Sequence, residues 1–366
     1  MKSRVKIFAA TVVTLAIGWS AAFLITHGAG EAAKLAARFY SSKENLAQVV
    51  ETILPTKEKT YSETIAVDSK AVNDTNESTA DVLEPTVNLS GSTEKQSGDS
   101  LTVLIGGDVM FDRGIRLIGE RYGYDSLLKG VAPTFKAADI VVANLEGPIT
   151  DEPSKTLFAD GTTGDSFIFT FAPETAAALA RAGITAVSLA NNHSDNFGIK
   201  GIEETRKYLD EAGVKWFGTP WNAASNETTV CKKGTCVALV GYHAFQGGFD
   251  RIVAEVKELA GKDYFIVVMP HWGEEYSAKP TERMREQARE LVTAGADAVI
   301  GSHSHVVGEN EWLGNIPVYY SLGNLLFDQY FSPETMNGML VELTISRNEG
   351  KSTLDHVRTI NVSNAS

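Results

Sequence analysis

The chain has 366 residues, of which 43% are hydrophobic and 22% charged, with a formal net charge of -13. That length accommodates one large folded domain with appendages, or two small domains. The acidic surplus argues against nucleic-acid binding as the main task, because a phosphate backbone attracts the opposite sign.

Lys2, Arg4 and Lys6 precede an uncharged stretch from Ile7 to Gly30. About 20 apolar residues span a bilayer as a helix, and positive charge on the N-terminal side predicts an N-in, C-out orientation. Residues 1–30 therefore read as a single-pass anchor in the cell membrane, with the rest of the chain extracytoplasmic. The alternative is a signal peptide cleaved near the Ala and Gly residues around position 30, which would give a secreted protein; the length of the apolar stretch favours the anchor. Within 31–100, Leu35, Phe39, Leu46, Val50 and Leu54 keep a loosely helical spacing up to Pro55, which ends it. The Ser-, Thr- and acid-rich run that follows has too little apolar surface to offset chain entropy and reads as a disordered tether. Residues 101–366 form the expected folded domain.

That domain opens with Thr102-Val-Leu-Ile105, a buried-type strand, and Gly106-Gly107-Asp108 reads as the turn leaving it. Similar runs follow at Ile140–Ala143, Ala186–Ala190, Tyr264–Met269 and Ala298–Ile300. Each leads at once into a polar, metal-competent segment: Asn144-Leu-Glu146, Asn191-Asn192-His193, Pro270-His271-Trp272, and Gly301-Ser-His303-Ser-His305. Three helical runs stop at Ala182-Gly183, Ala212-Gly213 and Ala294-Gly295, where glycine supplies a left-handed cap. The last of them starts at Pro280-Thr281 and carries Met284, Ala288, Leu291 and Val292 on one apolar face. Alternating strands and helices make an α/β domain, and in such sheets ligands bind beyond the carboxyl ends of the strands. Val318–Leu322, Gly338–Ile345 and His356–Val362 read as strands without intervening helices. With the Val230–Tyr242 hairpin they suggest an antiparallel portion, and a layered sandwich of two sheets accommodates both. Cys231 and Cys236 flank the hairpin tip, where a disulfide fits an oxidising compartment; two free thiols are the alternative.

The candidate metal ligands are Asp108, Glu146, Asn192, His271, His303 and His305. Mixed carboxylate, amide and imidazole donors suit Mn, Fe or Zn, as one or two divalent transition ions, rather than a thiolate zinc site. Two ions bridged by a carboxylate are a common device for in-line attack on a phosphoester. Each residue also has a plainer reading: Asp108 as a turn residue or helix cap, Asn191 and Asn192 as turn-formers, His271 as a structural histidine. Six such residues at five strand ends favour the metal site.

Gly107-Asp108-Val-Met, Asn144-Leu-Glu146, Asn191-Asn192-His193, His271-Trp-Gly, Gly301-Ser-His303-Ser-His305 and Tyr320-Ser-Leu-Gly-Asn324 occur in this order. The set resembles the CapA-type poly-γ-glutamate capsule synthesis family, within the calcineurin-like metallophosphoesterase superfamily, over residues 101–345. The resemblance implies a four-layer α/β/β/α sandwich with a two-metal site in its loops. It makes Glu146 the bridging carboxylate, Asn192 a ligand, His193 the catalytic general acid, and His271, His303 and His305 ligands. The family's first motif, Asp-x-His, keeps Asp108 but has Met110 in place of its histidine. Asn324 and Asp328 sit in a family-like segment and either line the cleft or fix a turn. Trp272, Tyr276 and Phe327 either line a polymer groove or belong to the core, and His243 and His356 serve packing or the surface.

Two functions follow. One is an exported, membrane-anchored metallohydrolase acting on a phosphoester or an anionic envelope polymer. The other is a non-catalytic accessory subunit of a capsular polymer synthesis or export complex, partnered with other capsule synthesis subunits. No Gly-x-x-x-x-Gly-Lys-Ser/Thr loop is present, which argues against an ATP-driven ligase.

Overall fold

The computed structural model describes residues 100–156, 167–222, 227–348 and 350–363. The expected anchor and tether lie outside the described residues. Among the described residues no helix is long and apolar enough to cross a membrane.

The first sheet takes β1 (Leu101–Val109), β2 (Ile140–Leu145), β3 (Ala186–Ser188) and β4 (Lys215–Phe217) in parallel order. The second takes β5 (Glu227–Lys232), β6 (Thr235–His243), β7 (Phe265–His271), β8 (Ala298–Ile300), β9 (Asn310–Leu313) and β10 (Ile316–Tyr319) in the order β5-β6-β7-β8-β10-β9. The chain then returns to the first sheet. β11 (Asn324–Leu326) pairs parallel with β1, and β12 (Asn337–Asn348) and β13 (Lys351–Ser363) extend it antiparallel on the β1 side. The helices are α1 (Arg113–Tyr122), α2 (Asp125–Leu128), α3 (Ala132–Ala137), α4 (Glu174–Ala182), α5 (Gly198–Ala212), α6 (Phe249–Ala260), α7 (Glu282–Ala294) and α8 (Pro333–Met336).

Strand alternation sorts the apolar residues into layers. On β2, Val141, Ala143 and Leu145 face a cluster that also holds Ile115, Phe135 and Leu179 from helices α1, α3 and α4. Ile140 and Val142 point the other way, into a cluster shared with Val237, Val267 and Ile300 of the second sheet. On β7, Ile266 and Val268 meet Ile252 and Val256 of α6 and Leu291 of α7. The fold is therefore mixed α/β with two sheets face to face and helices on both outer faces. Because both faces of each central strand are covered, its sequence reads as a continuous apolar run.

The three Ala-Gly stops are helix ends, with Gly183, Gly213 and Gly295 left-handed at φ 109°, 74° and 115°. Thr281 caps α7 by accepting the Met284 N–H at 3.3 Å, and Met284, Ala288 and Leu291 are buried along its face. The structure joins Cys231 and Cys236 in a disulfide.

Three sequence expectations are corrected. Gly106-Gly107-Asp108 is not a turn but the end of β1, kept extended by pairing with β2 and β11. β6 belongs to the parallel part of its sheet: it is antiparallel only to β5 and runs parallel to β7. Val318 likewise lies on a strand parallel to β8.

Candidate metal centre

Asp108 lies near the end of β1, Glu146 follows β2, Asn192 follows β3, His271 ends β7, and His303 and His305 follow β8. The parallel strands carry these positions to one edge of the two sheets. Glu146 is fully buried, and neither carboxylate oxygen has a hydrogen-bond partner. Its Oε1 lies 3.7 Å from Nε2 of His305, 3.9 Å from Nε2 of His271 and 4.0 Å from Nε2 of His193. A buried carboxylate without donors is costly unless a cation neutralises it.

Two groups of side chains are placed to hold an ion. Glu146, His271 and His303 make one, Asp108, Glu146 and His305 the other, with donor atoms in each within 4.8 Å of one another. Glu146 is common to both. Asn192 adjoins the first group, its Oδ1 2.8 Å from Nε2 of His271, and Nδ1 of His303 lies 3.1 Å from the same nitrogen. All six candidate ligands are thus brought together, and His193 stands beside them.

Surrounding polar groups fix these side chains. Asn144 Nδ2 donates to Asp108 Oδ1 at 2.8 Å, while its Oδ1 accepts from Asn191 Nδ2 at 3.0 Å. The His303 N–H donates to Asp108 Oδ2 at 3.1 Å. Nδ1 of His305 lies 3.0 Å from Asn324 Oδ1. Donation there leaves Nε2 as the nitrogen facing Glu146, the one that an ion would bind in exchange for its proton. Ser302 Oγ lies 2.9 Å from Nδ1 of His271.

The electrostatics suit a cation. Burial and the neighbouring Asp108 hold the Glu146 carboxyl well above the usual range. Burial and the surrounding imidazoles push His271 well down and His303 to about 4. Burial also acts against charge on His305, but Glu146 and Asp108 outweigh it and lift the ring to about 9. The backbone is forced as well: His303 and His305 have φ of 97° and 58°, a region L-residues avoid.

Met110 is in the core, and its Sδ accepts the Asp112 N–H at 2.9 Å. Trp272 and Phe327 are buried rather than groove-lining; Trp272 donates to the Tyr320 carbonyl, and Phe327 packs 4.8 Å from the His305 ring. Tyr276 is 47% exposed and 6.2 Å from that ring, so it does reach the mouth of the site. His243 is buried opposite His271 in register, with Nδ1 2.8 Å from the Pro220 carbonyl, while His356 is exposed on β13. Asp328 pairs with Arg113 and accepts the Gly114 N–H. Sequence reasoning quoted Asn144 in its motif without a role of its own and missed Arg113. Asn144 was within reach, since two residues before Glu146 on an extended segment is the same side.

A family profile described as bacterial capsule synthesis protein PGA_cap matches residues 102–329. The capsule biosynthesis protein CapA of Bacillus anthracis is 32% identical over 284 residues, covering 72% of this chain and 68% of that protein. The PGA biosynthesis protein CapA of Bacillus subtilis (strain 168) is 27% identical over 274 residues, covering 69% and 70%. Among solved structures, the calcineurin-like phosphoesterase YfkN from Bacillus subtilis aligns with a TM-score of 0.41 at 15% identity, over 73% of this chain and 91% of that one. With its ordered motifs gathered at one edge of the sheets and its domain spanned by that profile, the chain belongs to the bacterial capsule synthesis protein PGA_cap family.

Proposed function

We propose that the protein is an exported, membrane-anchored, metal-dependent hydrolase of capsule or envelope-polymer biosynthesis, acting on a phosphoester or an anionic polymer. The observation that carries this is Glu146: a buried carboxylate with two unpartnered oxygens, shared by two groups of potential ligands. Such a donor set fits Mn, Fe or Zn. A bound ion of this kind polarises a phosphoryl oxygen and acidifies water.

The chain's own residues would do the rest. Glu146, His271, His303 and Asn192 would hold one ion, and Asp108, Glu146 and His305 a second. His193 would be the proton donor to the leaving group. Its ring packs at a tilt on Phe169 with centroids 4.4 Å apart, and its Nδ1 lies 3.2 Å from Asn196 Oδ1, which leaves Nε2 toward Glu146. Burial lowers its pKa to about 4. Lys2, Arg4 and Lys6 ahead of the apolar stretch support anchoring with the domain extracytoplasmic, where capsule polymer and other capsule synthesis subunits would be met.

Metal analysis of the purified full chain, with a panel of phosphodiesters and polyglutamate, tests this reading. Bound transition metal with turnover of one substrate class is expected; a protein that takes up no such metal defeats it. The accessory-subunit reading draws on Met110. With its sulfur engaged in the core, the second group has, among the described residues, Asp108, Glu146 and His305 as its charged or imidazole donors. Metal without turnover on that panel would favour it.

A further inference from the structure

Arg113 belongs to none of the motifs that carry the family resemblance, yet it is built into the centre. It opens α1 with φ at 51°, a strained value for a residue with a side chain. Its N–H is held by Asp112 Oδ1 at 2.9 Å. The guanidinium carbon lies 5.1 Å from the centre of the Phe169 ring and 5.3 Å from that of Phe327. Those two rings are the ones that pack on His193 and His305, at 4.4 and 4.8 Å. Nη2 pairs with Asp328, whose other oxygen accepts the Gly114 N–H at 3.1 Å. Nε is buried with no acceptor among the described residues, while the side chain as a whole stays 16% exposed.

A purely structural role, tying α1 to the segment after β11, accounts for the ion pair alone. It does not account for an arginine where the backbone favours glycine, for donor capacity left unused, or for contact with both rings that cover site histidines. A planar guanidinium with free donors suits an oxyanion with several oxygens.

We propose that Arg113 is the anion-positioning residue of this centre: its guanidinium, fixed by Asp328 and the two phenylalanine rings, receives non-bridging oxygens of a phosphate ester beside Glu146 and His193. This rests on the phosphoester reading of the same site and narrows its substrate to an ester whose phosphoryl group is itself gripped by the protein.

The test uses the full-length protein loaded with Mn²⁺, titrated calorimetrically with inorganic phosphate and separately with poly-γ-glutamate. Wild type is compared with Arg113→Lys and Arg113→Met, and metal content and melting are followed in parallel. Arg113→Lys keeps the charge and the pairing to Asp328, so it decides the matter if Arg113→Met does not fold. The expected result is unchanged metal content with phosphate affinity lowered about tenfold or more, and a raised KM at nearly constant kcat for any ester turned over. Unchanged phosphate affinity in Arg113→Lys, or no phosphate binding by the loaded wild type, overturns the proposal. Arg113-dependent binding of poly-γ-glutamate without phosphate binding overturns it in favour of a carboxylate ligand. If phosphate binding depends on Arg113 but no ester is turned over, the hydrolase reading fails and the role of Arg113 stands.

Discussion

The carbonyl oxygen of Gly323 occupies the place where a side chain on Gly107 would begin: an ideal Cβ at Gly107 would lie 1.9 Å from it. The same approach lets the Asp108 N–H donate to that carbonyl at 3.0 Å and aligns Asp108 with Asn324. A residue that reads in sequence as a flexible turn is thus the point where β1 and β11 touch. Gly107→Ala should cost about 3 kcal/mol or more, at the upper end for overpacking, and should lower metal content by displacing Asp108. Denaturant melts and metal analysis check both; a variant as stable as wild type would show that the strands do not approach this closely.

Glu146→Gln and His193→Ala should separate binding from chemistry. Gln keeps the size of Glu146 but removes its charge, so metal content should fall. The metal-free variant should melt higher than metal-free wild type, because a buried carboxyl with no donors is gone. His193→Ala should keep its metal and lose about 10²–10⁴-fold in rate. Loss of metal from His193→Ala, or full metal in Glu146→Gln, would reverse the assigned roles.

Asp297 offers a pH test away from the centre. Burial raises its carboxyl from 3.8 to about 6, against the opposing Ile266 N–H, which donates to Oδ2 at 2.8 Å. The folded protein therefore holds this proton more tightly than the unfolded chain. Below 3.8 both states are protonated; as pH rises from there to about 6 the unfolded chain ionises first and native stability falls. Asp297→Asn keeps an acceptor for Ile266 without the charge. It should match wild type near pH 3.5 and exceed it above pH 6 by up to about 2 kcal/mol, allowing for partial exposure. Urea melts across this range that show no divergence would contradict the assignment.

The Cys231–Cys236 disulfide spans paired positions on β5 and β6, joined by Lys233-Gly234 with φ of 51° and 74°. Such a left-handed two-residue turn makes the hairpin by itself. Replacing both cysteines by serine should cost on the order of 1–3 kcal/mol, and labelling of unreduced, denatured protein should detect no free thiol. Two labelled thiols would contradict both the bridge and the oxidising compartment.

The core strands were legible because β2, β7 and β8 are covered on both faces and so read as unbroken apolar runs. The helix ends at Gly183, Gly213 and Gly295 were legible because a left-handed cap selects glycine. The six candidate positions stood out because each lies at or just past the end of such a run. What failed was anything set by contact across the chain. The direction of β6, the extended Gly107 and the buried Met110 depend on which segment lies alongside. β4, β9 and β11 open on Lys215, Asn310 and Asn324 and so lack the unbroken apolar run that marks the equally short β8. Arg113 gave no signal because its meaning comes from Phe169 and Phe327, 56 and 214 positions away in sequence.

The left-handed turns of the backbone at His303 and His305 have a consequence for how the sequence can drift. Each imposes a conformational penalty of roughly 1–2 kcal/mol on an L-residue, one that glycine would escape and asparagine would partly escape. Selection for thermal robustness alone would therefore pull both positions toward glycine or asparagine and dismantle the donor set. Histidine at both positions therefore costs stability that a glycine would not, and a variant with glycine at either would keep the architecture while losing an imidazole at the candidate centre.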